Sequence, residues 1–397
     1  MKLKKAGLFA AGIFCALINL HSFDFGGSIG TYTKLGTPGE PKSDEFKNFS
    51  IKQEEILSLW FRHDFDTTSF IAAEADTRIR TTASNLEKSE TFNTVVIPDV
   101  KILRFNKKIS AGKNQIIINA GRIHFSDLSA TVLSQVADGA AISADFKRLN
   151  VKLYGHYTGL LNAQNVTILN KTASSYILDT KKSWYCAAPY VNAGAQLEFP
   201  YLFANQTVSA EFLASFATEG IEKVETDYKR IWATIGLNGF LSRNLCYLLT
   251  STIGSECENG ISNLTKLTFT FFPNFKNIAV SLSGIYASGE HMGLKAFKGF
   301  TSSPAVASVK EPEYSGLVKT GINASIKPIK SIYTAVNANA VFSCPKEDFE
   351  YYGFEAGLSG NLQVLSDLNI NASLTQFFAK DSSNSKATMI VSATLTF

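Results

Sequence analysis

The chain is short of charge, methionine and proline. Of its 397 residues only 18% are Asp, Glu, Lys or Arg, three are Met and ten are Pro. Folded soluble chains carry about one quarter charged residues, so this chain is charge-poor without being disordered. After residue 22 no run reaches the roughly 18 apolar residues of a membrane helix, and mean hydropathy is only +0.04. A helical membrane bundle is thereby excluded. Collagen-like, coiled-coil and low-complexity classes find no support in the composition. Positive charge is not in excess either: Lys2, Lys4 and Lys5 carry three of the four net charges, leaving residues 23–397 close to neutral. Nucleic-acid binding, which wants a basic face, is not indicated.

Catalytic and metal motifs are missing as well. No H-E-x-x-H, G-x-S-x-G, Gly-Lys-Ser/Thr phosphate loop or C-x-x-C occurs. Beyond residue 22 the histidines are His63, His124, His156 and His291. No enzyme activity, metal or cofactor is expected. Cys186, Cys246, Cys257 and Cys344 remain beyond Cys15. Cys246 and Cys257 would lie roughly 36 Å apart on one extended strand, too far to bond. For Cys186, Cys257 and Cys344, one disulfide and free thiols stay equally open.

Aromatic residues are plentiful, with 30 Phe and 14 Tyr. Residues 1–22 combine a basic start with a short apolar stretch and read as a signal peptide for export, Leu20-His21-Ser22 being an imperfect cleavage site. From Phe23 the apolar period is two. In 391–397, Val391, Ala393, Leu395 and Phe397 alternate with Ser392, Thr394 and Thr396. In 368–375, Leu368, Ile370, Ala372 and Leu374 alternate with Asn369, Asn371, Ser373 and Thr375. Such segments exceed the five or six residues usual for soluble strands and match the 9 to 11 of a tilted membrane strand.

About 18 such segments follow one another, 16 remaining an alternative, and their links alternate long and short. Long polar links are expected at 36–54, 82–99, 162–189 and 290–312; short ones at 111–114, 147–150, 204–206, 242–244, 327–330 and 366–367. A β-sandwich has no reason to sort loops by parity. An all-β, up-and-down antiparallel transmembrane β-barrel over residues 23–397 has one: short periplasmic turns at one end, long outside loops at the other. The apolar face then meets outer-membrane lipid and the polar face lines water. Aromatic pairs such as Phe199/Tyr201, Phe271/Phe272, Tyr351/Tyr352 and Phe377/Phe378 fall near strand ends, where interfacial girdles sit.

Parity also distributes charge. Arg62 shares a face with Ser58 and Trp60; Arg78 and Arg80 with Glu74 and Asp76; Arg104, Arg122, His124, Lys152 and His156 fall opposite apolar neighbours. Two readings stand: a basic wall favouring anionic or zwitterionic solutes, or an ordinary solvated lumen neutralised by Glu74, Asp76 and Asp145. Glu198, Glu211, Arg230, Lys266, Lys319 and Glu355 are sparser lumen charges. The link 126–138 is unusually apolar for a surface loop, with Leu128, Ala130, Val132, Leu133 and Val136.

A final Phe397 with Leu395, Ala393 and Val391 at alternate positions resembles the C-terminal signature of Gram-negative-type outer-membrane β-barrel proteins, and leader and loop parity extend that resemblance over the whole chain. In size and strand count it looks porin-like. The resemblance implies an outer-membrane channel for passive diffusion of small hydrophilic solutes. It also implies a last strand read by the barrel-assembly machinery, and an oligomer that is often a homotrimer. By the same resemblance the third outside loop, here 126–138, folds into the lumen. Asp127 and Asp138 would then confront Arg62, Arg78, Arg80, Arg104, Arg122 and Lys152, with Arg104 and Arg122 nearest; the alternative is a loop packed on its own rim. The rival function is a surface barrel acting as an adhesin or partner-binding protein through its long loops, without an open pore.

Overall fold

The computed structural model describes residues 23–38, 50–86, 89–169, 182–218, 229–256, 260–273, 277–290, 293–301, 315–345, 349–381 and 385–397. The leader, Cys257 and much of the longest links lie outside them. Eighteen strands run in chain order: β1 (Phe23–Pro38), β2 (Ser50–Asp66), β3 (Ser69–Leu86), β4 (Ser89–Ala111), β5 (Asn114–Ser126), β6 (Ser134–Phe146), β7 (Leu149–Tyr157), β8 (Tyr190–Phe203), β9 (Gln206–Ala217), β10 (Lys229–Ser242), β11 (Leu245–Glu256), β12 (Gly260–Phe271), β13 (Ile278–Ala287), β14 (Leu317–Ile329), β15 (Ile332–Ser343), β16 (Glu350–Gln363), β17 (Leu368–Ala379) and β18 (Lys386–Thr396). Each pairs antiparallel with its sequence neighbours, and β1 pairs with β18, so the sheet closes. Closure leaves no edge of unpaired backbone, the condition for a sheet to stand in lipid.

The alternation becomes two surfaces. Leu57, Leu59, Leu153, Phe212, Ile235, Leu282, Leu358 and Leu374 stand exposed on the outside. Inside lies a buried cluster that includes Phe125, Leu133, Tyr154, Leu213, Trp232, Phe297 and Phe300. Outward aromatic rings mark the strand ends, among them Tyr201, Phe272, Tyr351 and Phe378.

Several links differ from expectation. Residues 82–99 are not a loop: β3 and β4 continue as a paired hairpin to Leu86 and Ser89. The first ten residues of the stretch are mostly polar and Val95, Val96 and Ile97 then run together, so no alternation marks the strands. Likewise β1 and β2 reach Pro38 and Ser50, leaving 39–49 between them. Strand β14 passes Lys327 and Pro328 through a register shift between Ile326 and Ile329; a bulge is where a strand tolerates proline. The link at 126–138 shrinks to 127–133, since residues 134–138 pair with β5. Cys186 and Cys246 are free thiols.

Two irregularities shape the lumen. A register shift at Glu74/Ala75 leaves Lys101 unpaired on β4 and turns Asp99, Ile97 and Val95 inward above it. Gly121 has φ +111°, and a Cβ there would sit 2.0 Å from the Leu103 carbonyl oxygen; only glycine fits that conformation. Just past it the β4–β5 ladder ends at Leu103–Arg122, while β5 and β6 stay paired to Ser126–Ser134. The tip of the β5–β6 hairpin is therefore free to lean away from the wall.

Candidate functional site

That tip crosses the lumen. The Leu128 amide donates to Glu211 on β9, and the Leu128 side chain packs where a Gly236 side chain on β10 would otherwise project. The Val132 carbonyl accepts from the amides of Phe300 and Thr301, at 2.8 and 2.9 Å. Three segments thus meet inside the barrel: 127–133, 158–169 and 293–301. Glu211 anchors the meeting point, accepting also from Tyr154 Oη at 2.5 Å and Gln196 Nε2 at 2.8 Å.

Asp127 does not confront a basic wall. Its carboxylate accepts from the amides of Ser129, Val132 and Leu133 at 2.9, 3.1 and 2.8 Å, and stitches the loop to itself. Only 5% of the residue is exposed. Burial pushes its carboxyl above the ordinary range, against those hydrogen bonds, which favour the charged form.

Arg122 and Asp138 form a two-pronged pair at 2.8 Å on each contact. Register puts Arg122 opposite Leu103, on the back of the leaning hairpin. From there it also reaches Asp99 at 3.7 Å and the carbonyls of Val100 and Leu160. With 11% of its side chain exposed, Arg122 is a bracket at the split between β4 and β5, not a bare lumen cation. Behind the hairpin lies a cavity of about 350 Å³ lined by Arg78, Asp99, Lys101, Arg122, His124 and Gln135 among others.

The remaining cations separate into two groups. Arg62 pairs with Asp64 at 2.7 Å, Arg78 with Asp76 at 2.8 Å, and Arg80 with Glu54 at 2.5 Å. Lys101 adds a pair with Glu74 at 2.5 Å. Arg104 and Lys152 are in no ion pair among the described residues. Arg104 lies 4.8 Å over the Phe70 ring and its Nε has no hydrogen-bond partner among the described residues; Lys152 lies 5.1 Å over Tyr154. The expected continuous basic wall is replaced by a ladder of ion pairs with two cations outside it. Pairing follows from register: Glu54 stands directly opposite Arg80, while Asp76 and Arg78 are two residues apart on one face.

Arg230, read from sequence only as a sparse charge, holds the interior together. The residue is 1% exposed, and its guanidinium sits 5.3 Å from Tyr190, 5.5 Å from Trp232 and 5.1 Å from Phe300. Its Nη1 donates to the carbonyls of Leu169 at 3.0 Å and Gly299 at 2.9 Å, one from each inward segment. Trp232 Nε1 adds a bond to the Lys298 carbonyl. Cross-strand pairing extends a polar row from Arg230 through Ser215 and Asn192 to His156. All four are buried, under rings that include Phe125 at 4.5 Å from His156. Among the described residues, the side-chain polar atoms of Ser215, Asn192 and His156 have no hydrogen-bond partner. Strand parity identifies this row; nothing in the sequence says that 293–301 covers it. A cavity of about 250 Å³ adjoins Arg230, lined also by Trp232, Glu256, Glu290, Lys295 and Lys298.

At the seam, Phe397 exchanges both backbone hydrogen bonds with Gly27, each 2.9 Å. A Cβ on Gly27 would lie 2.7 Å from the Phe397 ring, so the ring covers the glycine on the outer surface. Leu395, Ala393 and Val391 continue that row opposite Ile29, Thr31 and Thr33.

No protein-family model and no curated protein matches the chain by sequence. The fold does match solved structures. Acinetobacter baumannii OccAB4 superposes with a TM-score of 0.61 at 10% identity, covering 96% of this chain and 99% of its own. Pseudomonas aeruginosa OccK7 (OpdD) gives 0.60 at 10% identity over 94% and 99%. The P. aeruginosa outer membrane protein OpdK gives 0.54 at 10% identity over 94% and 99%, and has also been solved with vanillate. The chain is a closed, 18-stranded antiparallel β-barrel of the same fold as these proteins.

Proposed function

We propose that this chain is an outer-membrane, porin-like channel that admits small hydrophilic solutes by passive diffusion and favours anionic or zwitterionic ones. One observation carries the reading: a closed barrel, apolar outside, whose polar lumen is narrowed by three inward segments rather than filled by its wall. Such a barrel is too wide for wall side chains alone to fill. The charge preference rests on Arg104 and Lys152, which face the lumen outside any described ion pair, and on the cationic row end at Arg230. Vanillate, bound by the similar fold of OpdK, is an aromatic carboxylate. Export by the 1–22 signal peptide, insertion by the barrel-assembly machinery and no catalytic step belong to the same reading.

The rival, a surface barrel that binds partners through its loops and conducts nothing, draws on the apolar cluster packed inside the lumen. Planar-bilayer recording of refolded protein separates the two. Discrete channels support the first reading; a folded barrel with no conductance supports the second. Liposome swelling with sugars, amino acids and organic acids then ranks the solutes.

A further inference from the structure

The cavity beside Arg230 lies at the outside end of β10–β12, against residues 290–298 of the inward link. Its lining carries both charge signs, Arg230, Lys295 and Lys298 against Glu256 and Glu290. Most of its polar groups are already committed. Lys298 pairs with Glu256 at 3.0 Å. Arg230 donates to the Leu169 and Gly299 carbonyls, and Trp232 to that of Lys298. The hydroxyls of Ser255 and Ser262 donate to the carbonyls of Gly260 and Gly254, each at 3.1 Å. Two side chains remain. Glu290 and Lys295 are exposed, opposite in charge, and in no ion pair among the described residues, with each other or with anything else.

The backbone on either side of them is fixed. The Glu290 amide donates to the Pro345 carbonyl at 2.7 Å, and the Lys295 amide to that of Ile261 at 2.8 Å. The Lys295 carbonyl accepts from Ser288 Oγ at 2.7 Å. The Lys295 stem lies over Gly260, where a Cβ would meet its Cγ at 3.2 Å. Opposite charges are thus held at two stations of one cavity without closing on each other. A lone carboxylate that satisfied Lys295 would face Glu290, and a lone cation would meet the reverse. A ligand that carries both charges satisfies both stations. The volume of about 250 Å³ is under the ~300 Å³ at which pockets for drug-sized ligands begin, so the ligand is small.

We propose that this cavity binds a free α-amino acid, its carboxylate at Lys295, its ammonium at Glu290 and its side chain over Ala296 and Trp232. The site is separate from Arg104 and Lys152, which lie on β4 and β7. As the outer-mouth station of a channel it rests on the porin-like reading, but binding itself needs no open pore. Contacts between exposed charges are weak, and a solute that passes on has to leave its site again.

Saturation-transfer NMR on the folded barrel in detergent tests the site, with L-alanine, propionate and ethylamine as probes at equal concentration. The parent should transfer roughly fivefold more saturation to alanine than to either singly charged probe, the upper end for one exposed ion pair. Glu290→Gln should bring alanine down to the level of propionate, and Lys295→Met to that of ethylamine. Ala296→Phe fills the cavity and keeps both charges; it should lose alanine too. The heat-shifted gel mobility of a folded barrel is scored for each variant, and the two exposed charge positions carry the test if Ala296→Phe does not fold. Alanine no better than propionate or ethylamine in the parent, or alanine binding retained in either charge variant, overturns the proposal. Planar-bilayer conductance is recorded on the same preparations. Alanine binding without conductance removes the channel and keeps the site; conductance without selective binding removes the site and keeps the channel.

Discussion

Arg230 shows how one side chain can govern a wide lumen. A buried guanidinium needs donors satisfied and charge balanced; here two loop carbonyls and three aromatic faces take that part. Methionine keeps the apolar stem but cannot donate. Arg230→Met should therefore release segments 158–169 and 293–301, giving larger single-channel conductance with frequent brief closures. Unaltered traces would mean that the loops are anchored elsewhere. Gly121 is a residue-scale test of a different kind. Replacing it with Val imposes a β-branched side chain at φ +111° and drives Cβ into the Leu103 carbonyl. Backbone strain of that sort costs about 1–3 kcal/mol before the clash is counted. The yield of heat-modifiable folded barrel should fall severalfold, and a normal yield would show that the hairpin can lean without glycine.

At the scale of elements, the leaning β5–β6 hairpin separates two arginines that alternation treats alike. Arg104 sits on the wall below the split; Arg122 brackets the split itself. Arg104→Gln should move the zero-current potential across a KCl gradient toward cation preference, most visibly at low salt, because screening sets in over about 8 Å at physiological ionic strength. Arg122→Gln should shift it little. Instead it strands Asp138 and Asp99, and breaking such a partly buried pair costs about 3 kcal/mol, read as a lower urea midpoint for unfolding from detergent. A large selectivity shift from Arg122 alone would refute this division. The strands, their number and their two faces were legible because a period of two over ten or more residues has few other physical meanings. The hairpin at 82–99 was not, because residues 82–91 are mostly polar and Val95, Val96 and Ile97 run together, so no alternation shows. Nor was the parity change after Gly121: Arg122 and His124 alternate with apolar neighbours as any lumen pair would, and only the departure of β5 from β4 turns that face away. Ion pairing between Glu54 and Arg80 needs the β2–β3 register, which is set by a two-residue turn that sequence periodicity does not fix.

For the whole molecule, closure is the condition on which all else depends. Phe397 supplies both backbone bonds to Gly27 and a ring over it, and 62% of that residue remains exposed on the outer rim. Deleting it, or Phe397→Ala, should lower the outer-membrane level of the protein and raise its degradation in the periplasm, export being untouched. Equal membrane levels would take the assembly role away from this residue.

The seam also imposes an order in time. The strand that completes the sheet is the last of the eighteen to be synthesised, and its partner is the first. Until both are present, every partial barrel exposes two unpaired edges, the surfaces on which chains aggregate. The pairing of greatest sequence separation is thus the one that ends the hazard, and contacts of that kind form slowly. Adding a strand pair between β9 and β10 would widen the ring without changing that schedule, and joining β18 to β1 and opening the chain at a short turn would only move the seam, because the new first and last strands would then have to pair to close the ring.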